Sequence, residues 1–227
     1  AGERPARAIL SHLELGRRVF RDLPLPVRVF LFATENEFRP YRPANSSSGL
    51  FQGGPARDLI ALAYRGPESL RVLMHEFVHL ALSHSAPPMP RWLEEGTAEF
   101  YSTLQASGTS VAAGGTIRAY VVALDSFRWI EADRLARVDR DSPEYNERSQ
   151  VGLFYAQSWA LTHMLHLAPG YRERLPRYLE QLRGGERRER AFETAFGKTL
   201  EAALQDLRGY VKGRLFREME VDAGPRA

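Results

Sequence analysis

The stretch Met74–Tyr101, MHEFVHLALSHSAPPMPRWLEEGTAEFY, decides how the rest of the chain is read. It contains His75-Glu76-Phe77-Val78-His79, the pattern H-E-x-x-H. Residues i and i+4 of an α-helix share a face, so His75 and His79 can offer two imidazoles to one metal ion. Glu76 stands about 100° around the same helix and can reach a water on that ion. Two neutral nitrogens that hold a metal, beside a carboxylate that takes a proton from water, are what hydrolytic zinc chemistry requires. After the break Pro87-Pro88-Met89-Pro90 comes Arg91-Trp92-Leu93-Glu94-Glu95-Gly96-Thr97-Ala98-Glu99, where Glu95 and Glu99 are again i and i+4. A catalytic zinc keeps three protein ligands and an open position, which makes Glu95 the candidate third ligand. Glu99, one turn on, can accept the outer N–H of a ligand imidazole and fix its tautomer.

These residues resemble the gluzincin metallopeptidases, the group defined by H-E-x-x-H plus a glutamate, with thermolysin-like and aminopeptidase N-like branches. The run Trp92-Leu93-Glu94-Glu95-Gly96-Thr97-Ala98 looks like the W-L-x-E-G-x-A segment that carries the third ligand in the aminopeptidase N branch. The resemblance implies Glu95, rather than Glu94 or Glu99, as that ligand. The thermolysin branch has a ligand glutamate followed four residues later by a supporting carboxylate, which Glu95 and Glu99 match. Fifteen residues separate His79 from Glu95, fewer than in the aminopeptidase N branch. The chain is therefore more similar to the small bacterial peptidase MA-like domains.

The resemblance extends to Tyr155-Ala156-Gln157-Ser158-Trp159-Ala160-Leu161, similar to the Tyr-x-x-Gly-x-x-x helix of aminopeptidase N-like enzymes, with Ser158 in place of the glycine. It implies that Tyr155 supports the oxyanion of the tetrahedral intermediate, a task a neutral phenol performs without altering the charge of the resting site. In the thermolysin branch a distant histidine has that task, and His163 is the reserve candidate. The activity implied is hydrolysis of peptide bonds in a peptide or protein substrate, with Zn²⁺ on His75, His79 and Glu95, and Glu76 as general base. The Gly-x-Met-x-Asn-type segment that grips a free amine in the aminopeptidase N branch is not visible before the helix, which favours an endopeptidase. The alternative from another class is a catalytically silent peptidase-like module that binds a protein or peptide partner. His84 falls outside the set. In the metzincin arrangement the helix-breaking glycine would stand at Leu82 and the third histidine at Ser85, and His84 lies about 140° around the helix from His79.

Composition limits the remaining classes. The 227 residues suffice for one or two compact units with a core. A hydrophobic share of 44% and a mean hydropathy of −0.37 suit a soluble globular protein. No apolar run approaches the roughly 20 residues of a membrane span. With 31 basic and 28 acidic residues the net charge is +3, too balanced for nucleic-acid binding. The absence of cysteine excludes disulfides, thiolate metal sites and a cysteine nucleophile, and leaves the compartment open. A start at Ala1 fits a bacterial-type soluble protein exported with its signal peptide removed, or a trimmed chain.

Periodicity supplies the elements around the motif. Residues 5–22 repeat apolar positions at helical spacing, and Val27–Phe32 alternates as a strand. Residues 34–48 read as a loop. Gly49–Gly54 and Asp58–Tyr64 read as a hairpin whose edge can bind an extended substrate by strand addition. Helices are expected over about Pro67–Ser83 and Arg91–Gln105. Gly96 costs the second about 1 kcal/mol, in exchange for close approach to the first. Residues 106–116 and Asp139–Pro143 read as loops, and 147–167 as a core helix. The Arg-rich stretch 170–220 reads as helices with solvated salt-bridged faces, and 221–227 as a frayed tail. The expected fold is α+β. It is a single zincin-like catalytic domain, with a small N-terminal sheet packed on the H-E-x-x-H helix over about 1–86 and a mostly helical lobe over about 87–220.

Overall fold

The computed structural model describes residues 3–21, 23–42, 48–107 and 110–222. Part of the loop expected over 34–48 and most of the tail expected over 221–227 lie outside them. The chain is α+β and forms two compact units. One comprises Ala1–Ser85, Tyr101–Ala113 and Glu220–Ala227, and the other Ala86–Phe100 and Gly114–Met219. Among the described residues no helix is long and apolar enough to cross a membrane.

The first unit is built on a three-stranded sheet in the order β1-β3-β2, with β1 Val27–Phe32, β2 Gly49–Gln52 and β3 Asp58–Ala63. The central β3 pairs in parallel with β1, Val27 opposite Asp58 and Phe32 opposite Ala63. It pairs antiparallel with β2, Gly49 opposite Leu62 and Gln52 opposite Leu59, so the expected hairpin forms. Ile60 and Leu62 alternate onto the buried face of β3 with no exposure. Against that face lies α3 (Glu68–Ser85), presenting Leu73, Met74, Phe77, Val78, Leu80 and Ala81, all buried. Helix α1 (Glu3–Val19) packs on α3 at Gly16, where an added Cβ would come within 2.8 Å of the Phe77 ring.

Two stretches depart from the sequence reading. Residues 34–48 contain a short helix, α2 (Glu35–Phe38), closed by a capping box in which Thr34 accepts from the Glu37 amide and Glu37 accepts from Thr34. Residues 106–116 are not a plain loop. They carry β4 (Gln105–Ser107) and β5 (Ser110–Ala113), an antiparallel pair extended by β6 (Met219–Val221) beside β5.

The second unit is helical, with α4 (Arg91–Ser102), α5 (Arg118–Ser126), α6 (Ala132–Arg137), α7 (Pro143–Asn146), α8 (Arg148–Leu167), α9 (Leu175–Arg183), α10 (Arg188–Phe196) and α11 (Leu200–Lys212). α8 is its axis. Phe154, Ala156, Trp159, Ala160, Leu161 and Leu165 have no exposure. A helix apolar on every side is one that neighbours enclose, and α5, α7 and α11 do so. Gln157, equally buried, pairs with both backbone groups of Ile130: its Nε2 donates to the Ile130 carbonyl at 2.8 Å, and its Oε1 accepts from the Ile130 amide at 2.9 Å.

Candidate metal centre

His75 and His79 lie one turn apart on α3, half-buried, with their Nε2 atoms 3.0 Å apart. Nitrogens this close face a common point, as the i, i+4 spacing requires. Their neighbour Glu76 turns toward the start of β2. A Cβ added to Gly49 would come within 2.8 Å of both Cγ and Oε1 of Glu76, and within 2.9 Å of Val72. The Glu76 carboxylate therefore rests on a strand end that has no side chain.

Glu95, 1% exposed, sits on α4 with Glu99 one turn on, 5% exposed. The turn that bears them lies hard against α8. A Cβ at Gly96 would fall 2.2 Å from the Thr162 hydroxyl and 2.3 Å from the Ser158 carbonyl. The glycine expected to admit the H-E-x-x-H helix thus admits α8. That approach sets the register of α8 against α4 and brings Tyr155, one turn before Ser158, toward Glu95.

Sequence reasoning missed Tyr145, which donates from its hydroxyl to Glu95 Oε1 at 2.9 Å. Its own hydroxyl is hydrogen-bonded to that of Tyr155. The Arg91 guanidinium stands over the Tyr145 ring at 5.6 Å from its centre. The same group binds Glu94 at 2.7 Å and lies 3.8 Å from Glu95 Oε1. Burial, then the nearby Glu95, push both phenols well above their ordinary range, so both are neutral donors at any working pH. Tyr145 belongs to α7, where the reading ended a loop at Pro143. Pro143 at the first helical turn was the local signal available.

Three side chains come together in a way that could hold a metal. One ligand atom from each of His75, His79 and Glu95 lies within 4.8 Å of the others. Among the described residues no other group of three histidine, cysteine, aspartate or glutamate side chains is so arranged. Two imidazoles and one carboxylate match the donor set of a catalytic zinc, so the residues fit the ion.

The other histidines are placed elsewhere. His84 Nε2 is 2.6 Å from Asp58, a fully buried carboxylate at the start of β3. His163 has no exposure and is bonded through both ring nitrogens, to Tyr210 at 2.8 Å and to the Gly114 carbonyl at 3.0 Å. A carbonyl only accepts, so Nε2 carries the proton and Nδ1 accepts from the tyrosine. Burial lowers the pKa of His163 to about 4. His166 lies stacked on Phe100, its pKa likewise lowered to about 4 by burial.

Compared with models of known families, with curated proteins and with solved structures, the chain matches none.

Proposed function

We propose that this chain is a zinc metallopeptidase of the gluzincin type, more an endopeptidase than an aminopeptidase, with a zincin-like arrangement of its elements. The observation that carries the reading is the convergence of His75, His79 and Glu95 within 4.8 Å, with Glu76 on the same helix as the two histidines. In this reading those three side chains hold the ion. Zn²⁺ held there supplies Lewis acidity toward water and toward the scissile carbonyl.

The chain's own groups do the rest. Glu76 takes a proton from the attacking water and delivers it to the leaving amine. Tyr155, kept neutral by its surroundings, turns the hydroxyl proton that it gives to Tyr145 in the resting site toward the developing oxyanion. Glu99 fixes a ligand imidazole through its outer N–H. The substrate backbone adds to the outer edge of β2, whose one strand partner among the described residues is β3 and whose first residue, Gly49, adjoins Glu76.

The test is metal content by mass spectrometry on protein dialysed against metal-free buffer, followed by hydrolysis of a peptide library. About one zinc per chain is expected, with turnover that a chelator abolishes and Glu76→Gln removes while zinc stays bound. One zinc without turnover in the wild type would favour a silent peptide-binding module. No zinc, even after it is added back, would end the metallopeptidase reading.

A further inference from the structure

We infer that Tyr145 is a positioning residue for the metal: it holds the Glu95 carboxylate in one orientation and so sets the affinity of the site. This rests on the metallopeptidase reading of His75, His79 and Glu95.

A carboxylate on a helix can rotate about its last bond, and a ligand that rotates loses affinity to the entropy of ordering it. Glu95 is not left to rotate. Its Oε1 takes the Tyr145 hydroxyl at 2.9 Å, and the Arg91 guanidinium lies 3.8 Å from the same atom. The donor is itself fixed. Glu144, 3% exposed, pairs with Arg134, and the Asn146 amide returns to the Ser142 carbonyl at 3.2 Å, so both neighbours of Tyr145 are tied down. Arg91 covers its ring, and the Tyr155 hydroxyl donates to its oxygen. A neutral donor suits this place. It restrains the carboxylate without cancelling the negative charge a cation needs, as a second close guanidinium would. The two tyrosines thus divide the work: Tyr145 orients a ligand, and Tyr155, further from Glu95 in the hydrogen-bond chain, addresses the substrate.

The experiment measures zinc affinity of the full chain by competition with a chromophoric chelator, together with the visible spectrum of the cobalt-loaded protein. The variants are Tyr145→Phe and Tyr155→Phe. Tyr145→Phe keeps the ring under Arg91 and should fold. It is expected to weaken zinc binding 10- to 100-fold and to change the cobalt spectrum. Tyr155→Phe is expected to stay within a few-fold of wild type in affinity. If Tyr145→Phe binds zinc as tightly as wild type, the positioning role is overturned and the metallopeptidase reading stands. If both variants weaken binding equally, the assignment to Tyr145 is overturned in favour of the pair. If the wild type binds no zinc, the reading beneath the inference falls and takes it along.

Discussion

At the scale of single residues, the two glutamates that matter most need opposite surroundings. A general base must swing a proton from water to a leaving group, whereas a ligand must stay still. Glu76 is half-buried against a glycine, and Glu95 is 1% exposed and bound by a tyrosine. Tyr155→Phe tests the oxyanion assignment. It is expected to lower kcat roughly 100-fold, the scale of one lost oxyanion donor, with little change in KM. Steady-state kinetics on a hydrolysed peptide decide it, and an unchanged kcat would release Tyr155 from the mechanism. The pairing of His75 with His79 could be read from sequence because one helix period sets both on the same face of α3. Tyr145 could not, since 50 positions separate it from Glu95 and nothing in a four-residue helix announces such a partner.

At the scale of elements, glycines govern how closely helices and strands approach. At Gly96 the obstacle to a side chain is partly backbone, the Ser158 carbonyl, which cannot turn away. Gly96→Ala is expected to destabilise by about 1–3 kcal/mol despite alanine's better helix propensity. Thr162→Ala in the same chain should recover only part of that, because the carbonyl remains. Thermal or urea unfolding of the wild type and the two variants measures both numbers, and a neutral Gly96→Ala would deny the close crossing of α4 and α8. Gly49→Ala acts differently, pushing on Glu76 and Val72. It should reduce kcat while zinc affinity holds, read by kinetics beside metal titration; equal loss of both would mean α3 itself has shifted.

Periodicity gave the long elements, α3 and α8 above all, because burial of a repeating face is a local pattern. It hid β4 and β5, whose small residues Ala106, Ser107, Ser110 and Ala112 carry little strand signal. It also passed over α2, although Thr34 and Glu37 spell a capping box, because Pro40 and Pro43 nearby dominated the reading.

At the scale of the whole molecule, burial of two neutral imidazoles couples stability to acidity. His163 and His166 have pKa values near 4 in the fold against an ordinary 6.5. Between those values the unfolded chain holds more protons. Stability is therefore complete above about pH 6.5 and declines as pH falls toward 4, by roughly 3 kcal/mol for His163 alone. Melting temperatures from pH 7 down to 4 should show the fall. His163→Gln, which keeps a donor for the Gly114 carbonyl and cannot charge, should flatten it. An already flat wild-type profile would mean these rings are not held neutral. Zinc adds a second coupling. An ion bound only by the folded chain raises stability by about 2.7 kcal/mol at one hundred times its dissociation constant, so the melting temperature should climb with added zinc.

The strand β6, residues Met219–Val221, joins β4 and β5, and its residues 220 and 221 belong to the compact unit that begins with α1. On the ribosome, then, the unit started first is finished last. Its second sheet stays one strand short until more than two hundred residues have been made, and a nascent chain halted before Met219 would leave the β5 edge open to strands from other molecules.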